Sequence, residues 1–224
     1  MISNHEIDYK IYGEELQFVE IELDPSETAI AESGAFMMMD NGIEMQTIFG
    51  DGSQQQSGGI LGKLMSAGKR LLVGESLFMT AFTNVGQGKK KVSFASPYTG
   101  KIIVFDLKQL GGKIIAQKDA FLCAAKGVSI GIEFQRKLGT GIFGGEGFIM
   151  QKLEGDGLAF AHAGGYIVER NLLPGEILKV DTGCVVAYTA DIDFDIEMVR
   201  GVKNFMFGGE GLFFAVLTGP GKVW

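Results

Sequence analysis

Three carboxylates recur in one short pattern along the 224-residue chain. Each follows a glycine and opens an alternating apolar run. Three like charges near one axis would repel one another unless they were protonated, paired or bound to a cation. The alternative is local, with each carboxylate accepting backbone N–H bonds or pairing with nearby basic residues. We favour this structural role for the repeated pairs, which are Gly74-Glu75, Gly145-Glu146 and Gly209-Glu210.

Basic residues precede each Gly-Glu pair and form the candidate binding segments. They are Lys69 and Arg70, Arg136 and Lys137, and Arg200 and Lys203. With the run at 89–91 they could bind phosphate headgroups or an RNA backbone. Charge runs are also typical of a solvated face. The 20 basic and 27 acidic residues give a net charge of −7, which argues against nucleic acid and leaves an anionic membrane surface open.

His162 is the best candidate for proton transfer, because neutral imidazole is the usual shuttle near pH 7 and the chain has only two histidines. A cleft beside it would suit an enzyme or a small-molecule binder. However, no nucleophile motif such as G-x-S-x-G accompanies it. We therefore favour a histidine at the end of a strand, bonded to the backbone.

Two further motifs resemble ligand-binding sites, but the residues around them do not fit such sites. Residues 139–144 read G-x-G-x-x-G, but an alternating strand follows where a dinucleotide site needs a helix. The acidic ladder Asp191, Asp193, Asp195 and Glu197 spaces its carboxylates about 7 Å apart, too wide for one Ca²⁺, and indicates a solvated strand face. We predict no catalytic residue, no cofactor and no metal site.

Period-2 hydrophobicity dominates, so the elements that carry these residues are mostly short strands, about 15 in number by the pattern. The 34 glycines indicate many tight turns. Residues 60–72 have helical spacing, and 197–205 resemble a weaker helical turn. The repeated features divide one domain into three units, about 7–88, 89–155 and 156–224.

Each unit is expected to open with a hairpin. The paired segments are Ile7 to Tyr12 with Leu16 to Leu23, Val92 to Ser96 with Lys101 to Leu107, and Leu158 to His162 with Tyr166 to Leu172. Glycines between the segments fit such turns. We expect the strands to wrap into a sandwich or closed barrel, so that their edges are removed or covered.

Cys123 and Cys184 are too few for a disulfide scaffold, and both are expected to be reduced, packed thiols. The first residues lack a secretory signal, and no apolar run reaches about 18 residues. These features favour a cytoplasmic protein.

Several segments together resemble the altered inheritance of mitochondria family, whose bacterial members carry a domain of unknown function. They are 59–78, 162–165, 173–176 with 180–187, and 208–212 with 219–221. The resemblance implies an all-β fold similar to the tryptophan RNA-binding attenuation protein, with three pseudo-threefold-related β units and one or two short helices. It implies no established catalysis. A mitochondrial relative tied to inner-membrane organisation suggests a scaffolding or membrane-adjacent role.

The sequence therefore predicts a non-catalytic assembly or binding module, with itself or other proteins as partners. An enzyme or small-molecule binder with a cleft near His162 is the alternative. A catalytic site would break the repeat with a few titratable residues in a pocket. A scaffold would instead keep repeated structural residues and expose a sizeable apolar or charged surface.

Overall fold

The computed structural model describes residues 6–32, 34–49, 78–136, 148–198 and 213–224. Those residues form nineteen β-strands, all paired antiparallel, and two short 3-10 turns. The predicted all-β class is confirmed. The predicted helix over 60–72 lies outside the described residues.

The strands fall into three successive groups of six and a final strand. The first six are β1 (Asp8–Tyr12), β2 (Phe18–Leu23), β3 (Thr28–Glu32), β4 (Phe36–Met39), β5 (Ile43–Phe49) and β6 (Phe78–Asn84). The next six are β7 (Lys90–Ala95), β8 (Lys101–Asp106), β9 (Lys113–Gln117), β10 (Phe121–Ala125), β11 (Ser129–Arg136) and β12 (Phe148–Glu154). The last seven are β13 (Leu158–Ala163), β14 (Arg170–Leu172), β15 (Ile177–Asp181), β16 (Ala187–Thr189), β17 (Asp193–Met198), β18 (Phe213–Thr218) and β19 (Gly221–Val223).

The strands build four sheets. Sheet 1 has the order β1-β2-β7-β4, sheet 2 the order β5-β6-β3-β10-β13-β8, sheet 3 the order β11-β12-β9-β16-β19-β14, and sheet 4 the order β15-β18-β17. The 3-10 turns, Lys118–Ala120 and Thr182–Cys184, follow β9 and β15. Of the expected helical turn at 197–205, Glu197 and Met198 belong to strand β17, and residues 199–205 lie outside the described ranges.

Only one of the three predicted hairpins forms. β1 pairs with β2 as expected. β7 and β8 both exist, but β7 pairs with β2 and β4 while β8 pairs with β13. β13 and β14 also lie in different sheets. The hairpin prediction was wrong for these two pairs because the connecting turns cross from one sheet to the next, which the strand patterns do not reveal.

Alternating apolar side chains stack the sheets in the order 1-2-3-4. In β3, Ala29 and Ala31 belong to the core between sheets 1 and 2, whereas Ile30 belongs to the core between sheets 2 and 3. In β9, Ile114 faces sheet 2 and Ile115 faces sheet 4. Because successive side chains point to opposite faces, each central sheet is covered on both sides. With about 10 Å between facing sheets, sheets 1 and 4 are roughly 30 Å apart.

The strand order repeats. Adding six to each strand number of sheet 2 gives sheet 3 in the same sequence. This order is what three copies of a six-strand unit would produce, and it supports the division into three units. That division and the pseudo-threefold relation stay predictions.

A fully buried side chain, Asn84, joins β6 to two turns. Its Nδ2 donates hydrogen bonds to the carbonyls of Leu23 and Gly88, each 2.8 Å away, and its Oδ1 accepts one from the Gly86 N–H at 2.9 Å. Asn84 therefore provides hydrogen-bond partners for three backbone groups, the carbonyls of Leu23 and Gly88 and the N–H of Gly86.

We expect Asn84→Ala to lower the free energy of unfolding by about 3 kcal/mol, because buried backbone groups lose their partners. Urea denaturation measures the change. Asn41→Ala, in an exposed turn, is the control and should cost less than about 0.5 kcal/mol. Equal stability of the two variants would contradict the role given to Asn84.

Candidate functional site

A cleft of about 740 Å³ lies beside the end of β13 and against β15. Its walls come from the β7–β8 and β13–β14 turns, the two 3-10 turns and the C-terminal strand. Its polar side chains include His162, Asp119 and Arg170, and its apolar lining includes Val180 and Trp224. The cleft is therefore a mainly apolar groove with polar groups from several elements.

His162 lies at this cleft but is turned into the protein. The side chain is 7% exposed, and a hydrogen bond joins its imidazole to the backbone of Tyr98. Burial lowers the pKa of His162 below its ordinary value, although the Tyr98 contact opposes that shift, so the ring stays neutral near pH 7. Its Nε2 is buried without a hydrogen-bond partner in the described chain. The predicted backbone-bonded histidine is confirmed.

Gly100 explains why the imidazole is held so closely. A Cβ placed on Gly100 would lie 2.6 Å from His162 Nε2 and 2.2 Å from the Ala163 carbonyl oxygen. Only a residue without a side chain fits at this contact. The β7–β8 turn thus packs directly on the end of β13, and Nε2 meets this backbone instead of the cleft.

Cys184 differs from its prediction. Cys123 is buried, and burial raises its thiol pKa well above the ordinary value, as expected for a packed thiol. Cys184 is exposed and lines the cleft. The packed-strand prediction was wrong here because the chain forms a 3-10 turn, in which the Asp181 carboxylate accepts a hydrogen bond from the Gly183 N–H at 2.8 Å.

A second polar group lies in the core between sheets 2 and 3. Glu32 shares a face of β3 with Ile30, and Gln151 shares a face of β12 with Leu153. Burial raises the pKa of Glu32 to about 7, against the lowering effects of nearby Gln151 and Lys118. The Gln151 amide is fully buried, and neither of its polar atoms makes a regular hydrogen bond within the described residues. Sequence patterns gave no signal for this pair.

The acidic ladder is a solvated face, as predicted. Asp191, Asp193, Asp195 and Glu197 are exposed, and Lys179 pairs with Glu197 at 2.5 Å. No cluster of three or more His, Cys, Asp or Glu residues with metal-site geometry occurs in the described ranges.

The basic segments are mostly beyond the described residues. Arg136 ends β11, whereas Lys69, Arg70, Lys137, Arg200 and Lys203 lie outside the described ranges, as do the three Gly-Glu pairs. In the 89–91 run, Lys89 pairs with Asp8 and Glu22, and Lys91 with Glu20. Hydrogen bonds to these carboxylates raise the pKa of both lysines. Neutralisation by neighbours weakens this run as an anion-binding patch.

The edge strand β4 is a candidate surface that the sequence motifs do not single out. Phe36, Met37, Met38 and Met39 are 39%, 48%, 46% and 39% exposed. A run of four apolar residues is typical of a strand buried on both faces, yet β4 pairs only with β7 within the described chain. Phe36 stacks on Phe82 with ring centroids 5.5 Å apart, which anchors the strand on sheet 2.

Comparison with known proteins identifies the family. The model of a family described as "Mitochondrial biogenesis AIM24" matches residues 9–224. The chain belongs to the AIM24 family. This result confirms the resemblance found in the sequence, and it covers all four sheets.

AIM24-family relatives give no activity to transfer. An uncharacterised protein of Streptococcus pyogenes serotype M6 is 29% identical over 210 residues, which are 92% of this chain and 79% of that protein. An X-ray structure of a Streptococcus pyogenes protein has a TM-score of 0.72 and 22% identity, covering 97% of this chain and 92% of the other. The second likeness shows a shared fold. Within the described ranges, no helix is both long and apolar enough to cross a membrane.

We expect Gly100→Ala to lower the free energy of unfolding by about 2–3 kcal/mol, because the new methyl group overlaps the Ala163 carbonyl and the imidazole. Gly164→Ala is the matched control, since its Cβ would meet only the Thr99 carbonyl oxygen at 3.6 Å. Chemical denaturation compares the two. A tolerated Gly100→Ala would refute the tight contact with His162.

Glu32→Gln tests the raised carboxyl pKa. The ordinary value is 4.5 and the folded value about 7, so the folded state keeps a proton that the unfolded state loses. The wild type therefore loses stability as pH rises from 4.5 to 7. The Glu32→Gln variant has no such loss, and its advantage in Tm should grow over this interval and then level off. Thermal denaturation at about pH 4, 5.5, 7 and 8, with exposed Glu44→Gln as control, checks this expectation; a pH-independent difference contradicts it.

Proposed function

We propose that this AIM24-family chain is a non-catalytic assembly or binding module. The observation that carries the proposal is the exposed apolar edge strand β4, with Phe36 and three consecutive methionines. An open strand edge offers unpaired backbone groups, and exposed apolar side chains add area that is stabilised when covered. Methionine side chains also adapt readily to a partner surface.

The state of His162 supports a function without bond-making chemistry. Its Nε2 packs on the Gly100 backbone, and its Nδ1 side is occupied by the Tyr98 contact. A general base must reach the proton it abstracts. Such an enclosed, neutral imidazole fits a role in holding the β7–β8 turn on β13.

Small-molecule binding is the second candidate, and the cleft specifically favours it. A volume of about 740 Å³ falls within the range of ligand pockets. Arg170 and Asp119 could orient a polar group, while Val180 and Trp224 would cover an apolar one. A ligand seated there should slow alkylation of Cys184 in the cleft wall, and unchanged alkylation across a metabolite library would argue against it.

A more specific version of the assembly proposal places the module at an anionic membrane surface. It depends on Lys69 and Arg70, with support from the family resemblance. Vesicles containing anionic lipid should then retain the protein at low salt, and substitution of both residues should release it. Absence of retention at low salt would remove the membrane from the proposal.

The Met37→Gln/Met39→Gln variant tests the assembly function. We expect the wild type, recovered with a tag from its own cells, to run as a complex larger than one chain. The variant should run as a monomer with unchanged Tm, because only exposed side chains are altered. Size-exclusion chromatography with mass spectrometry measures both. Met198→Gln, another exposed methionine, is the control; identical profiles for all three proteins would contradict the proposal.

A further inference from the structure

We infer that Glu32 and Gln151 form a proton-dependent lock between the two central sheets. The neutral Glu32 carboxyl donates its O–H to Gln151 Oε1, and its carbonyl oxygen accepts a hydrogen bond from Gln151 Nε2. Loss of the proton removes the donor and breaks half of this reciprocal pair. The lock is a property of the interior of the fold and does not depend on the assembly function.

The two side chains come from facing surfaces of sheets 2 and 3. In β3, Glu32 shares a face with Ile30, which lies in the core between these sheets. In β12, Gln151 shares a face with Leu153 of the same core. Gln151 is also close enough to the Glu32 carboxyl to influence its pKa by hydrogen bonding. The pair therefore bridges the boundary between the central sheets.

The buried Gln151 amide defines what its partner must supply. Its exposed fraction is 0%, and neither Nε2 nor Oε1 makes a regular hydrogen bond among the described residues. A buried amide without partners is strongly destabilising, because folding has removed its hydrogen bonds to water. It needs at least one acceptor for Nε2 and one donor for Oε1.

Only one protonation state of Glu32 meets both needs. A carboxylate accepts hydrogen bonds but donates none, so it would pair with Nε2 and leave Oε1 without a donor. A neutral carboxyl places a hydroxyl donor beside a carbonyl acceptor, and these match the oxygen and nitrogen of a carboxamide in a ring of two hydrogen bonds. The neutral form also avoids burial of a charge. Hydrogen bonding and solvation thus favour the same, protonated state.

The surroundings of Glu32 set the pH at which the lock opens. Burial is the largest influence and raises the pKa of Glu32 to about 7. Lys118 and Asp119, in the 3-10 turn after β9, act on the carboxyl in opposite directions. The strands beside and across from Glu32 present apolar side chains on this face, namely Met79, Ala81, Ala124, Ile149 and Leu153. The carboxyl therefore changes its charge near neutral pH.

The proton has a route to solvent, whereas the amide does not. Glu32 is only half-buried, so its carboxyl exchanges protons with water, while Gln151 is enclosed. As pH rises through 7, the proton leaves to solvent and Oε1 loses its donor. The contact between β3 and β12 is then weaker, so the central sheets are held together more tightly on the acidic side of neutrality.

Side-chain NMR tests the pair directly. Between about pH 5 and 9, the Gln151 side-chain amide resonances of ¹⁵N-labelled protein should move with one midpoint near pH 7, because the partner loses its proton over this range. In Glu32→Gln they should stay fixed, since an amide at this position has no proton to lose. The buried Asn84 amide, bonded to backbone groups, is the internal control and should not move. Gln151 resonances that do not follow pH in the wild type overturn the inference.

Infrared difference spectroscopy reports the hydrogen bonds of the neutral carboxyl. Acidification of the wild type from about pH 9 to 6 should produce the C=O band of a protonated carboxyl, and Glu32→Gln should lack this band. In Gln151→Leu the band should move to higher frequency, because the carbonyl no longer accepts a hydrogen bond from Nε2. An unchanged frequency would mean that water or another group bonds the carboxyl, which overturns the pair.

Exchange of the two residues separates pairing from burial. Gln151→Glu alone brings two carboxyls together, and at about pH 8 they would repel each other. Adding Glu32→Gln places one carboxyl opposite one amide again, so the double variant should have a folding equilibrium constant at least about fivefold larger, as expected for one regained hydrogen bond. Urea denaturation measures both. A double variant no more stable than Gln151→Glu contradicts the lock.

Discussion

The structure depends on apolar side chains that alternate between both faces of the central strands. In β3, Ala29 and Ala31 face one neighbouring sheet while Ile30 faces the other, and β9 repeats this arrangement with Ile114 and Ile115. A strand apolar on both faces must lie between two layers, because either face left in water would lose the stabilisation of burial. Two such sheets in contact require four layers in all. Among the sheets formed by the described residues, the outer layers are then the ones with a solvated face.

Strand identity could be predicted from sequence, whereas strand partnership could not. The period-2 patterns located β1, β2, β7, β8, β13 and β17 within a few residues. They did not show that β7 and β8 belong to different sheets, because a crossing turn and a hairpin turn use the same glycine. At Gly100, the lack of a side chain lets the β7–β8 turn lie against the end of β13. That requirement becomes visible only when Ala163 and His162 are in place.

Some features of the candidate sites could also be predicted from the sequence, whereas others depend on the folded structure. The bonding of His162 to the backbone was predictable, since the chain offers it no nucleophile motif. The exposure of Cys184 was not, because Thr182–Cys184 forms a 3-10 turn directly before the apolar residues 185–187. The raised pKa of Glu32 depends on its burial between two sheets, and Gln151, which opposes the shift, is more than a hundred positions away in the chain. The exposure of Phe36–Met39 was equally hidden, because apolarity alone cannot distinguish a buried strand from an exposed edge strand.

The position of β8 has a kinetic consequence. It lies at the end of sheet 2 and pairs only with β13 in the described chain, with Asp106 opposite Leu158. During synthesis, residues 101–106 must therefore wait, unpaired and rich in apolar side chains, until the chain has lengthened past residue 163. Pairing between strands that are far apart in sequence, such as β8 and β13, slows folding and prolongs the exposure of aggregation-prone segments. The nascent chain thus passes through a vulnerable interval in which aggregation competes with completion of the second layer.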